Sequence, residues 1–186
     1  MTTSIVPGSV HAVAASSGKS LALAMMDVEA VVLVDTSASM SNRDSRGGRQ
    51  RYAVACEELM TLQAAHPGRL AVVAFSSDAQ LCLSGVPEFL FGSTDVAGAL
   101  RFVKPFDVDG TRFLVVSDGE PDSAIDALAE AAKFAGRIDT IYVGPESGEG
   151  REFLARLANE AGGRSATATA GLHLAAAVTL LLGSGT

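Results

Sequence analysis

A short apolar run at residues 30–34 constrains the fold of this chain more than any other feature of its sequence. The run reads Ala-Val-Val-Leu-Val, is rich in β-branched side chains and contains no polar residue. Such a run is typical of a parallel β-strand that is buried on both faces. The polar segment Asp35-Thr36-Ser37-Ala38-Ser39 follows at once, so we expect it to form a loop at the carboxyl end of this strand.

Similar runs recur along the chain with amphipathic segments between them. We predict strands at residues 30–34, 70–75, 79–83, 113–116, 138–143 and 165–168, and helices at residues 52–65, 96–102, 123–135, 151–161 and 172–182. The link at residues 76–78 is too short for a parallel crossover and therefore predicts an antiparallel hairpin. The pattern indicates an α/β fold: a doubly wound, mostly parallel six-stranded sheet with one antiparallel edge strand and helices on both faces.

The pattern also predicts a strand order and the inward face of one helix. The expected strand order is 3-2-1-4-5-6, which places the first and fourth strands side by side where the winding reverses. In the helix after residue 122, the spacing predicts that one face points inward, formed by Ile125, Leu128, Ala129 and Ala132.

The composition fits one folded domain in a reducing compartment. The chain has 186 residues, of which 48% are hydrophobic and 19% charged, enough for a substantial core. The formal net charge of −7 argues against a nucleic-acid or membrane-surface binder. The two cysteines, Cys56 and Cys82, lie in apolar segments and are expected to be buried, reduced thiols. The N-terminus lacks a signal-peptide pattern, and the apolar stretch 174–182 is too short to span a bilayer, so we expect a cytoplasmic protein.

Residues 1–28 are predicted to be an N-terminal extension whose structure the sequence does not specify. The segment Ser17-Gly18-Lys19-Ser20 is similar to the end of a phosphate-binding loop, but Val13 stands where that motif requires glycine. A turn with a solvated Lys19 is the favoured interpretation.

The loop after the first strand is basic. Between residues 41 and 51, four arginines accompany one aspartate; the arginines are Arg43, Arg46, Arg49 and Arg51. One interpretation is an ordinary solvated loop. The other is that the loop, which flanks the Asp35 segment, attracts an acidic partner. The sequence leaves both open.

Oxygen-bearing side chains are predicted to converge at the carboxyl ends of the first and fourth strands. Asp35, Ser37 and Ser39 follow the first strand, and Asp118 follows the fourth. Thr94 begins the helix that precedes the fourth strand, so it can reach the same crevice. These five residues could share one cation, and their oxygen atoms suit Mg²⁺, Mn²⁺ or Ca²⁺ better than zinc.

This set of residues resembles the metal-ion-dependent adhesion site (MIDAS) of von Willebrand factor A-type (vWA) domains, which have a Rossmann-like fold. The resemblance covers residues 29–183 and rests on Asp35-Thr36-Ser37-Ala38-Ser39, on Thr94 in Gly-Ser-Thr-Asp, and on Asp118 in Ser-Asp-Gly-Glu-Pro. It implies that Ser37, Ser39 and Thr94 offer hydroxyl oxygens to Mg²⁺, while Asp35 and Asp118 hold metal-bound waters and orient the serines.

The resemblance also implies a function. It predicts a non-enzymatic domain with no catalytic residue, which captures an aspartate or glutamate of a protein partner through the metal ion. Small microbial relatives suggest an AAA+ ATPase or a stress or phosphorylation module as that partner, and the alanine-rich composition is typical of a bacterial protein.

Two alternatives remain open at this stage. A phosphoryl-transfer enzyme of the haloacid-dehalogenase type also has an aspartate after its first strand, but it needs a second one where this chain has Ser37. A metal-free structural scaffold would use Asp35 and Asp118 as loop caps, with the hydroxyls satisfying backbone groups.

Overall fold

The computed structural model describes residues 5–45, 48–145 and 149–167, which form one sheet flanked by helices. The strand order is β3-β2-β1-β4-β5-β6, and the strands are β1 Ala30–Asp35, β2 Leu70–Phe75, β3 Ala79–Leu81, β4 Arg112–Ser117, β5 Ile138–Tyr142 and β6 Ser165–Thr167. All neighbours pair in parallel except β2 and β3. The predicted α/β class, strand order and antiparallel edge strand are confirmed.

Six helices accompany the sheet in these ranges: α1 Val10–Ser17, α2 Leu21–Met25, α3 Arg51–Ala65, α4 Val96–Val103, α5 Ala124–Ala131 and α6 Gly150–Glu160. Helix α3 matches its prediction to within one residue. The helix predicted at 172–182 lies outside the described residues, as does residue 168 of the last predicted strand. Among the helices described, we find none with the length and hydropathy needed to cross a lipid bilayer.

The central strand β1 connects two hydrophobic layers. Its six residues are all buried, and alternate side chains point to opposite faces of the sheet. On one face Val32 packs in a cluster with Leu59 of α3. On the other face Leu33 packs in a cluster with Leu100 of α4 and Leu154 of α6. Burial on both faces explains why the run at residues 30–34 contains no polar residue.

Helix α5 turns a different face inward from the one that the sequence predicted. Its buried residues are Ala127 and Ala131. Of the residues predicted to face inward, Leu128 is half-buried against the core, whereas Ile125 is 82% exposed and Ala129 and Ala132 are exposed as well. Small alanines let α5 lie close to its neighbours, so they form the contact although Ile125 is more hydrophobic. The apolar pattern of this segment fits more than one helical face, and packing selects among them.

The N-terminal residues that the structure describes fold against the domain. The backbone N–H of Val6 donates to Ser84 at 2.9 Å, and the N–H of Gly68 donates to the carbonyl of Gly8 at 2.9 Å. Gly18 has a φ of 66° and ends α1, and Ser20 caps α2. The segment that is similar to a phosphate loop is therefore a turn between two short helices.

Candidate metal-ion site

The carboxyl end of β1 holds Asp35 in a fixed position. Asp35 is fully buried, and both of its carboxylate oxygens accept hydrogen bonds. One oxygen accepts from the backbone N–H of Ser37 at 2.8 Å, and the other accepts from the hydroxyl of Ser117 at 2.6 Å. Ser117 reaches Asp35 because β1 and β4 are neighbours in the sheet.

The Ser37–Ser39 turn lies directly above this carboxylate. The hydroxyl oxygens of Ser37 and Ser39 are 3.1 Å apart, at the start of a single 3₁₀ turn over Ala38–Ser41. Thr36 ties the turn to β2, since its N–H and its hydroxyl both bond the carbonyl of Phe75, at 2.8 and 2.9 Å. The two predicted serine ligands thus face each other on an anchored loop.

Thr94 enters the site from a second loop. It is 5% exposed and precedes α4, whose first turn is capped by Asp95 through a 2.7 Å bond from the N–H of Gly98. A reciprocal pair joins Thr94 to Asp122: its N–H donates to the carboxylate of Asp122 at 3.0 Å, and its carbonyl accepts from the N–H of Asp122 at 3.0 Å. This pair links the Thr94 loop to the loop that carries Asp118.

Asp118 contributes a buried carboxylate, of which one oxygen has no hydrogen-bond partner among the described residues. Its side chain is 1% exposed. One oxygen accepts a 2.6 Å hydrogen bond from Arg51, while the other is buried and has no hydrogen-bond partner among the residues that the structure describes. A buried carboxylate oxygen without a partner is energetically unfavourable, so this atom points to a ligand.

Arg51 fits neither interpretation of the basic loop, because it is the first residue of α3 and its side chain is buried in the site instead of being solvated or exposed to a partner. Its side chain is 6% exposed. Besides Asp118, it donates from Nε and Nη2 to the two carboxylate oxygens of Asp44, each at 2.6 Å. Of the other predicted loop arginines, Arg43 is exposed, Arg49 pairs with Glu57, and Arg46 lies outside the described residues.

The electrostatics of the site oppose ionisation of Asp35. Burial raises the pKa of its carboxyl to about 6, and the nearby charge of Asp118 acts in the same direction, although hydrogen bonds from Ser117 and Ser37 partly offset both effects. A group in this setting gains strongly from a nearby cation, because the cation compensates the charge that burial disfavours.

The residues that meet at this edge suit a hard divalent cation. The predicted set at this edge contains the hydroxyls of Ser37, Ser39 and Thr94, the carboxylate of Asp35, and the oxygen of Asp118 that has no partner within the described ranges. Within the part of the chain that the structure describes, no group of three or more His, Cys, Asp and Glu side chains could hold a metal. Any metal held here must therefore rely on hydroxyl oxygens, which favour Mg²⁺ or Mn²⁺ over softer ions.

Sequence reasoning missed two residues that shape the site. Ser117 appears in the sequence argument only as the residue before Asp118, although it ends β4 on the strand beside Asp35 and donates to its carboxylate. Asp122 directly precedes α5, where a helix cap is the ordinary role of an aspartate, but Ser123 caps α5 through a 3.2 Å bond from the N–H of Asp126, and Asp122 binds Thr94 instead.

Comparison with solved structures shows the fold. An aerotolerance-related membrane protein from Bacteroides fragilis superposes with a TM-score of 0.67 at 16% identity, over 85% of this chain and all of its own. The manganese-loaded TRAP protein of Plasmodium vivax gives 0.57 at 20% identity, over 82% of this chain and 71% of its own. A von Willebrand factor type A protein from Catenulispora acidiphila gives 0.52 at 17% identity, over 76% and 38%.

No family model matches this sequence, and no curated protein has significant sequence similarity to it. The structural likenesses are therefore likenesses of fold. They confirm that the chain has the vWA-type fold that its motifs predicted.

Proposed function

We propose that this vWA-type domain binds a divalent metal ion at the carboxyl edge of its sheet and uses it to capture an acidic side chain of a protein partner. The observation that carries the proposal is the oxygen of Asp118 that has no hydrogen-bond partner in the described part of the chain, buried at the same edge as Asp35 and the paired hydroxyls of Ser37 and Ser39. Mg²⁺ is the proposed ion, with Mn²⁺ or Ca²⁺ as alternatives. The P. vivax neighbour is manganese-loaded, which supports a divalent ion on this fold.

The hydrogen bonds suggest different roles for the carboxylate of Asp35 and for the hydroxyls of the site. Both oxygens of Asp35 are already occupied by Ser37 and Ser117, so Asp35 is suited to orienting the turn and to holding water. The hydroxyls of Ser37, Ser39 and Thr94 carry no charge, and they leave most of the charge of a bound cation uncompensated. When bound, the ion would offer a position that an external carboxylate can fill.

We propose binding and not catalysis. Ser37 stands where a phosphoryl-transfer enzyme of the haloacid-dehalogenase type needs an aspartate as general acid and base, and a serine hydroxyl does not titrate near neutral pH. The metal-free scaffold remains a second candidate for one specific reason. Arg51 already supplies Asp118 with a positive charge, so part of the site is neutralised by the chain itself.

The proposed partner is a protein that offers Asp or Glu, such as an AAA+ ATPase or a stress or phosphorylation module, and neither a nucleic acid nor a membrane. The exposed Arg43 supports attraction of an acidic surface, and Phe91, which is 59% exposed, offers an apolar contact beside the Ser37 loop. We place this interaction in the cytoplasm, a location that the two free cysteines support.

Phe91 has a further feature that supports a binding role. Its φ is 59°, a left-handed backbone conformation that bulky residues rarely adopt. The surrounding loops hold it there, since its N–H donates to the carbonyl of Thr36 at 3.1 Å and the next residue, Gly92, accepts from Ala38 at 3.1 Å. Strain of this kind is concentrated at ligand-binding positions.

Calorimetry on metal-stripped protein tests the metal site. Wild type is expected to bind about one equivalent of Mg²⁺ or Mn²⁺, as one octahedral site requires. Thr94→Val keeps the shape of the side chain but removes its hydroxyl, and it should weaken binding about tenfold or more because one ligand is lost. Thr61→Val is the matched control, since Thr61 is exposed on α3. A wild type that binds neither ion contradicts the metal site.

Affinity capture in Mg²⁺ and in EDTA tests the partner. A genuine partner is retained by wild type in Mg²⁺ and lost both in EDTA and with Thr94→Val. A partner that is retained equally under all three conditions would show that the interaction does not use this edge of the sheet.

A further inference from the structure

The Arg51–Asp118 ion pair is buried at the centre of the candidate site. The guanidinium donates from Nη1 to one oxygen of Asp118 at 2.6 Å, and the exposed fractions of the two side chains are 6% and 1%. The remaining donors, Nε and Nη2, bind Asp44 in a two-pronged contact. Unlike Asp118, Asp44 is accessible to solvent, with its side chain 41% exposed.

This arrangement places a fixed positive charge where a divalent cation would also be attracted. Like charges within a few ångströms repel strongly in a site that is shielded from water. The same carboxylate would have to satisfy both cations. Since removing one partner leaves a buried charge uncompensated, the chain gains stability from Arg51 whenever no metal is bound.

We propose that Arg51 is a resident counter-cation of Asp118, which stabilises the metal-free domain and lowers the affinity of the site for a divalent ion. This inference rests on the metal site proposed above and specifies how its affinity is set. Arg51 and a divalent ion compete for Asp118, and by linkage each weakens the binding of the other by the same factor. Arg51 is thus a positioning residue, because it acts through Asp118.

Asp44 provides the alternative partner that such competition needs. When Arg51 releases Asp118, its Nε and Nη2 can remain bound to Asp44, so the guanidinium is never left without a counter-charge. Asp44 lies in the loop before α3, and Arg51 is the first residue of that helix. The N–H of Arg51 also donates to the carbonyl of Asn42 at 3.0 Å, so the backbone of Arg51 is bonded to the same loop that carries Asp44.

Four variants test the proposal by calorimetry with Mg²⁺ and by thermal unfolding in EDTA. Arg51→Gln removes the charge and should bind Mg²⁺ about tenfold more tightly or better, while its melting temperature in EDTA falls. Arg69→Gln makes the same charge change at the opposite end of β2, where Arg69 is exposed and pairs with Glu29; its Mg²⁺ affinity should match wild type.

Asp44→Asn tests the charge of Arg51 by neutralising its second counter-charge. The substitution changes only a partly exposed side chain. With Asp44 neutralised, the charge of Arg51 is less compensated, and Mg²⁺ should bind about threefold more weakly or worse than in Asp109→Asn. Asp109 is exposed, so it controls for the change in net charge. If Arg51→Gln is unfolded in EDTA, folding that returns with Mg²⁺ also supports the proposal, whereas an Asp44→Asn affinity equal to that of Asp109→Asn overturns it.

The results separate this inference from the proposed function. If wild type binds Mg²⁺ and Arg51→Gln binds it equally or more weakly, Arg51 is not a competitor, although the metal site stands. If only Arg51→Gln binds Mg²⁺, the competition is real and the metal-dependent function of the wild type is wrong. If neither protein binds Mg²⁺, both proposals are overturned.

Discussion

Replacing Asp35 by asparagine should stabilise the metal-free domain at neutral pH. The fully buried carboxylate accepts one hydrogen bond from the N–H of Ser37 and one from the hydroxyl of Ser117. An asparagine can keep both contacts, because its amide oxygen accepts from Ser37 and its NH₂ group can donate to the Ser117 hydroxyl. The substitution therefore removes a buried charge while it preserves the shape of the side chain and a hydrogen bond to each serine, with the direction of the Ser117 bond reversed.

The size of the effect follows from the pKa of Asp35. Burial raises this pKa from its ordinary value of 3.8 to about 6, so the protonated form is favoured in the folded state. The stability that this group contributes is complete below pH 3.8 and is lost as the pH rises through the folded pKa. At about 1.4 kcal/mol per pH unit, the metal-free wild type loses about 3 kcal/mol relative to Asp35→Asn between about pH 4 and pH 7.

Urea unfolding in EDTA, at pH values from about 4 to about 8, measures this difference. Asp109→Asn serves as the control, because it changes the net charge by the same amount at an exposed turn. Saturating Mg²⁺ should reduce the difference in the free energy of unfolding between wild type and Asp35→Asn, since a bound cation compensates the ionised carboxylate. A difference in unfolding free energy that does not change with pH would refute the reasoning, as would an asparagine variant that is less stable than wild type at about pH 7.

Two further predictions concern the loop glycine and the thiols. Gly119 has a φ of 77°, and a Cβ there would lie 2.2 Å from the carbonyl oxygen of Gly150. Gly119→Ala should therefore lower the free energy of unfolding by about 2 kcal/mol or more. The loss should exceed that of Gly110→Ala, where φ is 84° but the space around the Cβ is open. Equal losses of stability in urea unfolding would contradict the predicted clash. The structure buries Cys82, as predicted, but leaves Cys56 half-buried. Desolvation raises the pKa of the Cys56 thiol to about 11 and also raises that of Cys82, so both thiols should react slowly with iodoacetamide at mildly alkaline pH in native protein and rapidly in denaturant. Fast labelling of folded protein, followed by mass spectrometry, would argue against burial.

Local patterns were sufficient for most of the fold. Strands β1, β2 and β4 each contain an uninterrupted apolar run in the sequence, because burial on both faces favours apolar side chains. Strand β5 is also buried but contains Asp139, which pairs with Arg137, and Thr140, whose hydroxyl donates to the carbonyl of Leu154. The link at residues 76–78 predicted the antiparallel edge strand, since three residues cannot form a parallel crossover. The alanine-rich helix α5 was less informative, because its apolar residues do not define a single face, and the structure buries Ala127 and Ala131 while Ile125 stays in solvent.

By itself, the sequence determined that Asp35 and Asp118 stand at the ends of buried strands, because polar residues directly follow apolar runs there. Only the tertiary structure decided which groups meet those carboxylates. Arg51 pairs with Asp118 across 67 positions of sequence, and Ser117 reaches Asp35 across 82. A local pattern shows where a chain becomes polar, but the partner of a buried charge depends on which distant segment the packed sheet and helix bring within hydrogen-bonding distance.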